Sequence, residues 1–151
     1  MSVCRFIASD MPLAEFKPSQ EYPYHVNIDE GTIYDGGADD NYFLFFFKDV
    51  DLYTEREYGV YLEWDYTEER ARQIIEYIKK ALEESESVEF WSVWLMDYYE
   101  YEDRPYIHRT EISFDELTVE DIKEINDAEI WNKPDKMNPE RPSYYCLTIT
   151  R

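Results

Sequence analysis

The chain has 151 residues, of which 35 are acidic and 15 are basic, so its formal net charge at neutral pH is −20. This length predicts a single globular domain over residues 1–151, which buries about 70% of the surface of the unfolded chain. A hydrophobic fraction of 44% with only four glycines is atypical of a disordered chain. The excess of negative charge repels nucleic acids and anionic membranes, so both are excluded as direct partners.

The acidic residues are concentrated in two stretches of the sequence. Asp29–Glu69 holds 13 acids and two bases, and Asp97–Glu129 holds 12 acids and three bases. The remaining residues are neutral overall, with ten acids and ten bases. The negative electrostatic potential of so many acidic residues accelerates the encounter with a basic protein. The alternative explanation is that the charge only keeps an aromatic-rich chain in solution.

The first third of the chain combines short strand patterns with exposed turns. Val3–Ala8 alternates as a strand does, and Tyr24–Ile28 predicts a second, short strand. Asp29–Asn41 contains three of the four glycines and predicts an acidic loop, without the ligand spacing of a calcium-binding loop. Tyr42–Lys48 is apolar at consecutive positions, which predicts a central strand covered on both faces.

A strand, a helix and a second strand are predicted in the middle of the chain. The strands are Gly59–Trp64 and Val88–Met96, both rich in aromatic and β-branched residues. The helix extends over about residues 67–84, and either Asp65 or Thr67 can cap it. Its apolar face is formed by Ala71, Ile74, Ile75, Ile78 and Leu82.

The last third predicts a hairpin, a short helix and a final strand. Pro105 discourages continuous pairing, so Asp97–Tyr106 is predicted as the tip of a hairpin with its returning strand directly after it. A second helix is predicted over about residues 118–127, capped by Thr118, and Ser143–Thr150 alternates as a strand. These patterns together predict an α+β fold, in which a single, mostly antiparallel sheet of about five to seven strands carries both helices.

The sequence lacks most known catalytic frameworks. The glycines do not form a phosphate-binding loop, and no paired-cysteine or His-x-x-x-His spacing occurs, so we predict neither a cofactor nor a metal. His108 lies on the apolar side of its strand pattern and predicts a packed core histidine, whereas His25 cannot be placed. Cys4 and Cys146 predict two buried thiols, and the apolar runs are too short for a signal peptide or a membrane span, which is typical of a soluble cytoplasmic protein.

An enzymatic function is an alternative that the sequence leaves open. Either cysteine can approach a histidine in the fold and act as a nucleophile. A pair of carboxylates can also support catalysis, but with 35 acids such pairs arise by chance. The sequence therefore permits a small carboxylate- or cysteine-dependent enzyme without favouring one.

The acidic tyrosine segment between residues 97 and 106 is the predicted partner-binding site. Tyrosine offers a large contact area with few rotatable bonds, and the surrounding carboxylates attract a basic partner. The alternative is that two of the tyrosines cover a sheet edge and the acids protect that edge from aggregation. The predicted binding residues are Asp97, Tyr98, Tyr99, Glu100, Tyr101, Glu102, Asp103 and Tyr106.

In these respects the chain resembles, as a class, the small acidic immunity proteins that bacteria make against their own nuclease toxins and other toxins. The features that carry the resemblance are one compact domain, a strongly acidic surface and the Tyr98–Tyr99 pair among carboxylates. The resemblance implies a non-catalytic inhibitor that fills the basic cleft of a partner such as a nuclease toxin. A structural or adaptor domain is the third interpretation, in which the charge serves solubility alone.

Overall fold

The computed structural model describes residues 3–94, 106–130 and 142–151. Eight strands and two α-helices lie within these ranges. The strands are β1 (Val3–Ser9), β2 (His25–Asn27), β3 (Thr32–Tyr34), β4 (Phe43–Phe46), β5 (Tyr58–Glu63), β6 (Ser87–Trp94), β7 (Tyr106–Ser113) and β8 (Pro142–Thr150), and the helices are α1 (Glu68–Ala81) and α2 (Val119–Asn126).

Six of the strands form one sheet in the order β4-β5-β1-β6-β8-β7. All neighbouring strands in it are antiparallel except β7 and β8, which are parallel. Strands β2 and β3 pair with each other in a separate two-stranded sheet. The predicted α+β class, with one dominant and mostly antiparallel sheet, is confirmed.

Both helices pack on the same face of the large sheet, because their apolar stripes meet its apolar side chains. Ile74 and Ile78 of α1 and Ile122 of α2 are fully buried against Phe90 of β6. Each helix begins at a threonine cap, since the backbone N–H of Arg70 donates to the Thr67 hydroxyl, and Thr118 forms a capping box with Asp121.

The helices are shorter than the sequence predicts. α1 ends at Ala81 rather than near residue 84, and α2 covers residues 119–126 rather than 118–127. The N–H groups of Glu83 and Glu84 bond to carbonyls three residues earlier, as in a tight final turn. The predicted boundaries therefore included the caps and this turn.

The opposite face of the sheet is covered by the connection between β4 and β5. This connection contains a short 3-10 helix (Val50–Leu52), and its Val50 is buried against that face. The ring of Phe6 stacks on that of Trp91 in the same cluster, with centroids 5.6 Å apart. A Cβ atom on Gly59 would lie 2.5 Å from Val50 Cγ2, so the close approach of this cover requires a glycine.

The prediction that Tyr42–Lys48 is a central strand is wrong, because β4 lies at an edge of the sheet. Its outer side is covered by the preceding segment: Phe16 and Leu44 exchange two backbone hydrogen bonds, of 3.0 and 2.9 Å. The side chains of Phe45 and Phe46 remain exposed. A run of consecutive apolar residues thus marks an edge strand that another segment protects.

The prediction that the strand after residue 106 returns beside Val88–Met96 as a hairpin is also wrong. β8 lies between β6 and β7 and pairs with both. β8 buries Tyr144, Cys146 and Ile149, so it suits an inner position, whereas β7 exposes His108, Arg109, Thr110 and Glu111 and suits an outer one. His108 is consequently exposed, and its prediction as a core histidine is wrong as well.

Candidate interaction site

Five large apolar side chains are exposed within the small β2–β3 sheet and its turn, which we name the apolar arm (residues 24–34). Val26 and Ile33 face each other across the two strands and are 64% and 70% exposed. Ile28, at the turn, is 88% exposed, and Tyr24 and Tyr34 are exposed as well. Single exposed apolar residues are ordinary, but a contiguous group of this kind is typical of an interaction surface.

The entry to the apolar arm is attached to its exit through Asp40. The backbone N–H and the hydroxyl of Ser19 donate to Asp40 Oδ2 at 3.1 and 2.9 Å. The hydroxyl of Tyr22 donates to Asp40 Oδ1 at 2.5 Å. Chiefly because of this bond from Tyr22, the pKa of Asp40 lies below its usual range, and the carboxylate is ionised at neutral pH.

The exit of the arm is attached to the body of the protein by Arg70. This arginine belongs to α1 and is completely buried. Its Nη1 donates to Asp35 Oδ2 and to the carbonyl of Asp65, both at 2.8 Å. Its Nε and Nη2 donate to the carbonyl of Ala38 at 3.1 and 2.9 Å. A single guanidinium therefore joins the arm, the helix and the segment that precedes the helix.

The Arg70–Asp35 ion pair fixes the base of the arm with the carboxylate of Asp35 ionised. The hydrogen bond from Arg70 is the main reason that the pKa of Asp35 lies below its usual range, and the backbone N–H of Gly37 adds a second bond to the carboxylate. Gly37 has a φ of 70°, a conformation that glycine adopts without strain. Because both ends of the arm are attached in this way, the position of its exposed apolar side chains relative to the rest of the protein is fixed.

Sequence reasoning missed this buried arginine. The spacing does contain a signal, since Arg70 lies four residues before Ile74 and eight before Ile78, on the buried side of the helix. An arginine on the buried side of a helix either turns away from the apolar face or pairs with an acidic side chain inside the protein. The acidic loop that precedes the helix supplies that partner.

A small cavity opens at the base of the arm. It encloses about 170 Å³ and combines aromatic with acidic side chains. Tyr24 of the arm also lines a wider groove of about 800 Å³ along residues 17–24, so the cavity and the groove adjoin. The main side chains around the smaller cavity are Tyr24, Phe43, Trp64, Asp35, Glu63 and Asp65.

The arginines near the acidic stretch are already paired within the protein. Arg56 donates to Asp10 at 2.8 Å and lies 3.5 Å from the mostly buried carboxylate of Glu89. Arg72 pairs with Glu68 and Glu69 on the surface of α1. Together with the Arg70–Asp35 pair, these contacts occupy three arginines, while Asp29–Glu69 holds 13 acids and only two bases.

The predicted binding segment lies almost entirely outside the described residues. This applies to Asp97, Tyr98, Tyr99, Glu100, Tyr101, Glu102 and Asp103. Tyr106 is the first residue of β7, and its backbone alone is described. The segment therefore remains a prediction, and the apolar arm is a second candidate surface that sequence reasoning did not identify.

The candidate nucleophiles do not have the character of reactive groups. Cys4 and Cys146 are both buried and unbridged, as predicted, and burial raises the pKa of each thiol to about 12. Both thiols are thus protonated at neutral pH. The strand β6 lies between their strands, and His108 is exposed at the outer strand β7.

In the described parts of the chain, no group of three or more His, Cys, Asp or Glu side chains could hold a metal ion. Neither of the two helices described is long and apolar enough to cross a membrane.

No family model matches this chain, and no curated protein and no solved structure is similar enough to match it.

Proposed function

We propose that this chain is a non-catalytic binding domain that recognises a basic protein and occludes its basic surface, as an immunity protein does with a nuclease toxin. In this mechanism an anionic protein surface fills a cleft that would otherwise bind a polyanion. Inhibition then requires complementary charge and contact area, and no reacting group.

One observation carries this proposal: the acidic stretch has almost no free positive charge of its own. Asp29–Glu69 holds 13 acids and two bases, and one of those bases, Arg56, is paired with Asp10. The next two arginines along the chain, Arg70 and Arg72, are paired as well. These pairs neutralise only a few of the 13 carboxylates, so the stretch keeps a negative potential that attracts a cationic surface over a distance of about one Debye length.

The tyrosine segment from Asp97 to Tyr106 remains part of the proposal on its sequence alone. Its carboxylates would add to the attraction, and Tyr98 and Tyr99 would supply contact area. Its contribution can be tested separately from that of the apolar arm, because the two segments are more than 60 residues apart in the sequence.

The first experiment tests for the partner and for the role of charge. The immobilised full chain is incubated with lysate of the source cell at about 0.1 M and about 1 M salt, and bound proteins are identified by mass spectrometry. We expect one or a few basic proteins to be retained at low salt and released at high salt. Retention that does not change with salt concentration, or recovery of acidic proteins only, would contradict the proposal.

A double variant, Tyr98→Ala with Tyr99→Ala, locates the contact in the same experiment. We expect retention of the basic protein to be lost. The free energy of unfolding in urea should change by no more than about 0.5 kcal/mol, the range of ordinary surface substitutions. If the variant retains the partner, the tyrosine segment is not the contact surface. If it unfolds easily, the rings belong to the core.

A further inference from the structure

We propose that the apolar arm is a docking element that inserts into an apolar groove of the basic partner, with the carboxylates around it meeting the basic rim of that groove. This inference rests on the proposed function and names the surface through which it acts. It assigns a role to residues 24–34, which the sequence presents only as a short strand and an acidic loop.

The two-stranded sheet of the arm contributes little to the stability of the fold. A two-stranded sheet with both faces in water is only marginally stable, and here all six paired residues are exposed. The cross-strand pair of Val26 and Ile33 and the side chain of Ile28 contribute nothing to either buried core of the protein. Apolar surface that does not stabilise the fold is available to stabilise a complex.

The base of the arm is fixed by charged and polar contacts. Asp40 joins the two ends of the segment, and Arg70 joins the exit to α1. A loop that is already positioned loses less conformational entropy when it binds. The buried arginine thus supports presentation of the arm, since three of its four side-chain hydrogen bonds go to Asp35 and Ala38 at the arm's exit, and the fourth goes to the carbonyl of Asp65.

The charges of the arm identify the occupant. Asp29 and Glu30 lie at its turn, and the cavity at its base carries Glu63 and Asp65, besides Asp35, whose charge is balanced by Arg70. A second copy of this chain would bring its own charge of −20, which opposes association through this surface. An apolar groove would bury the exposed apolar side chains, and basic side chains would pair with the carboxylates. The occupant is therefore a basic protein with an apolar groove.

The cavity strengthens the case for a basic partner. Tyr24, Phe43 and Trp64 provide aromatic surface next to the carboxylates of Glu63 and Asp65. The face of an aromatic ring and a nearby carboxylate both stabilise an ammonium or guanidinium group. A lysine or arginine side chain beside the partner's groove is the group that this cavity suits.

The experiment places a photo-crosslinker on the arm of the full chain. The variant Ile28→benzoylphenylalanine is irradiated in lysate of the source cell, and the adducts are identified by mass spectrometry. The matched control is Phe46→benzoylphenylalanine, because Phe46 is another exposed apolar side chain, on the edge strand β4. We expect an adduct with the basic protein that the unmodified chain retains, from position 28 and not from position 46.

A second variant measures the contribution of the apolar surface. Val26→Ser with Ile33→Ser removes two exposed side chains, so the core stays intact and we expect the retention of the basic protein to fall at least about tenfold. The control Phe46→Ser removes an exposed apolar side chain from β4 and should leave retention unchanged. Circular dichroism checks that both variants keep the secondary structure.

The outcomes separate this inference from the proposed function. If the unmodified chain retains a basic protein but position 28 gives no adduct with it, or both positions give the same adducts, the arm is not the docking element and the proposed function stands. If position 28 captures an acidic or neutral protein, the assigned chemistry is wrong. If no basic protein is retained at all, the proposed function is contradicted, and so is this inference, which rests on it.

Discussion

At the scale of single residues, Arg70 is a buried charged side chain that forms four hydrogen bonds. It is fully buried, and its guanidinium donates to one carboxylate and two backbone carbonyls from separate segments. Arginine suits this role because its planar group presents donors in fixed directions, which a lysine ammonium cannot reproduce. Removing it would leave the Asp35 carboxylate and the carbonyls of Ala38 and Asp65 without this donor.

We expect Arg70→Met to destabilise the protein by about 3–5 kcal/mol, the usual cost of removing one member of a buried ion pair. The matched control is Arg72→Met on the same helix, whose exposed pairs with Glu68 and Glu69 are each worth about 0–1 kcal/mol. Urea unfolding of both variants measures the difference. Equal losses would show that the Arg70 contacts do not stabilise the fold.

At the scale of elements, the connection between β4 and β5 determines how the second face of the sheet is shielded. Val50 of the 3-10 helix packs where Gly59 has no side chain, and Tyr53 joins the aromatic cluster around Phe6. Polar contacts hold the same connection: Thr54 donates to Glu89, and Trp91 Nε1 donates to the same carboxylate at 3.0 Å. The connection between β4 and β5 is therefore held against the sheet both by close packing and by hydrogen bonds.

A double-mutant cycle on Gly59 and Val50 tests this packing. Gly59→Ala should destabilise the protein by about 1–3 kcal/mol, because its new methyl group overlaps Val50 Cγ2. Val50→Ala removes that methyl group, so the double variant should be more stable than the sum of the two single losses predicts. Additive losses, measured by thermal or urea unfolding, would mean that the two positions do not compete for the same space.

The predictable parts of the fold are those that depend on neighbouring residues. The threonine caps and the apolar stripe of α1 follow from local spacing, and the sequence predicts them within a few residues. Strand order depends on pairing between distant segments, so the insertion of β8 beside β6 has no local signal. The apolar run of β4 was ambiguous for a related reason, since its edge is protected by residues around Phe16, far from it in sequence.

The candidate site was predicted less completely than the fold. The acidity of the stretch after Asp29 is evident from the sequence, but the exposure of Val26 and Ile33 is not. An alternating pattern indicates a strand that is half buried, and only the structure shows that this short strand pairs away from the main sheet. The tyrosine segment around Tyr98 lies outside the described residues and keeps its status as a prediction.

At the scale of the whole molecule, the net charge of −20 acts on stability as well as on binding. Like charges repel one another in the compact state and separate on unfolding, so self-repulsion lowers the free energy of unfolding. Salt screens this repulsion: the Debye length falls from about 30 Å at 0.01 M to about 3 Å at 1 M. The surface ion pairs that salt weakens, such as those of Arg72, contribute little by comparison.

We therefore expect the melting temperature to rise with sodium chloride concentration. Each kcal/mol of relieved repulsion corresponds to about 2–4 °C for a chain of this size. Differential scanning calorimetry between about 0.01 M and 1 M salt measures the slope. The variant Asp29→Asn with Glu30→Gln carries two fewer negative charges in an exposed turn and should show a smaller slope. A melting temperature that falls with salt would show that attractive pairs outweigh the repulsion.

The position of β8 within the sheet has a consequence for how the protein is made. β8 begins at Pro142 and fills the gap between β6 and β7, two strands that the ribosome synthesises earlier. Until β8 has left the ribosome, one edge of β6, with its buried Phe90 and Trp91, has no strand beside it. A nascent chain that stalls before Pro142 therefore presents an open aromatic strand, which chaperones bind and which is prone to aggregate. Completion of the sheet is in this sense a late event of synthesis.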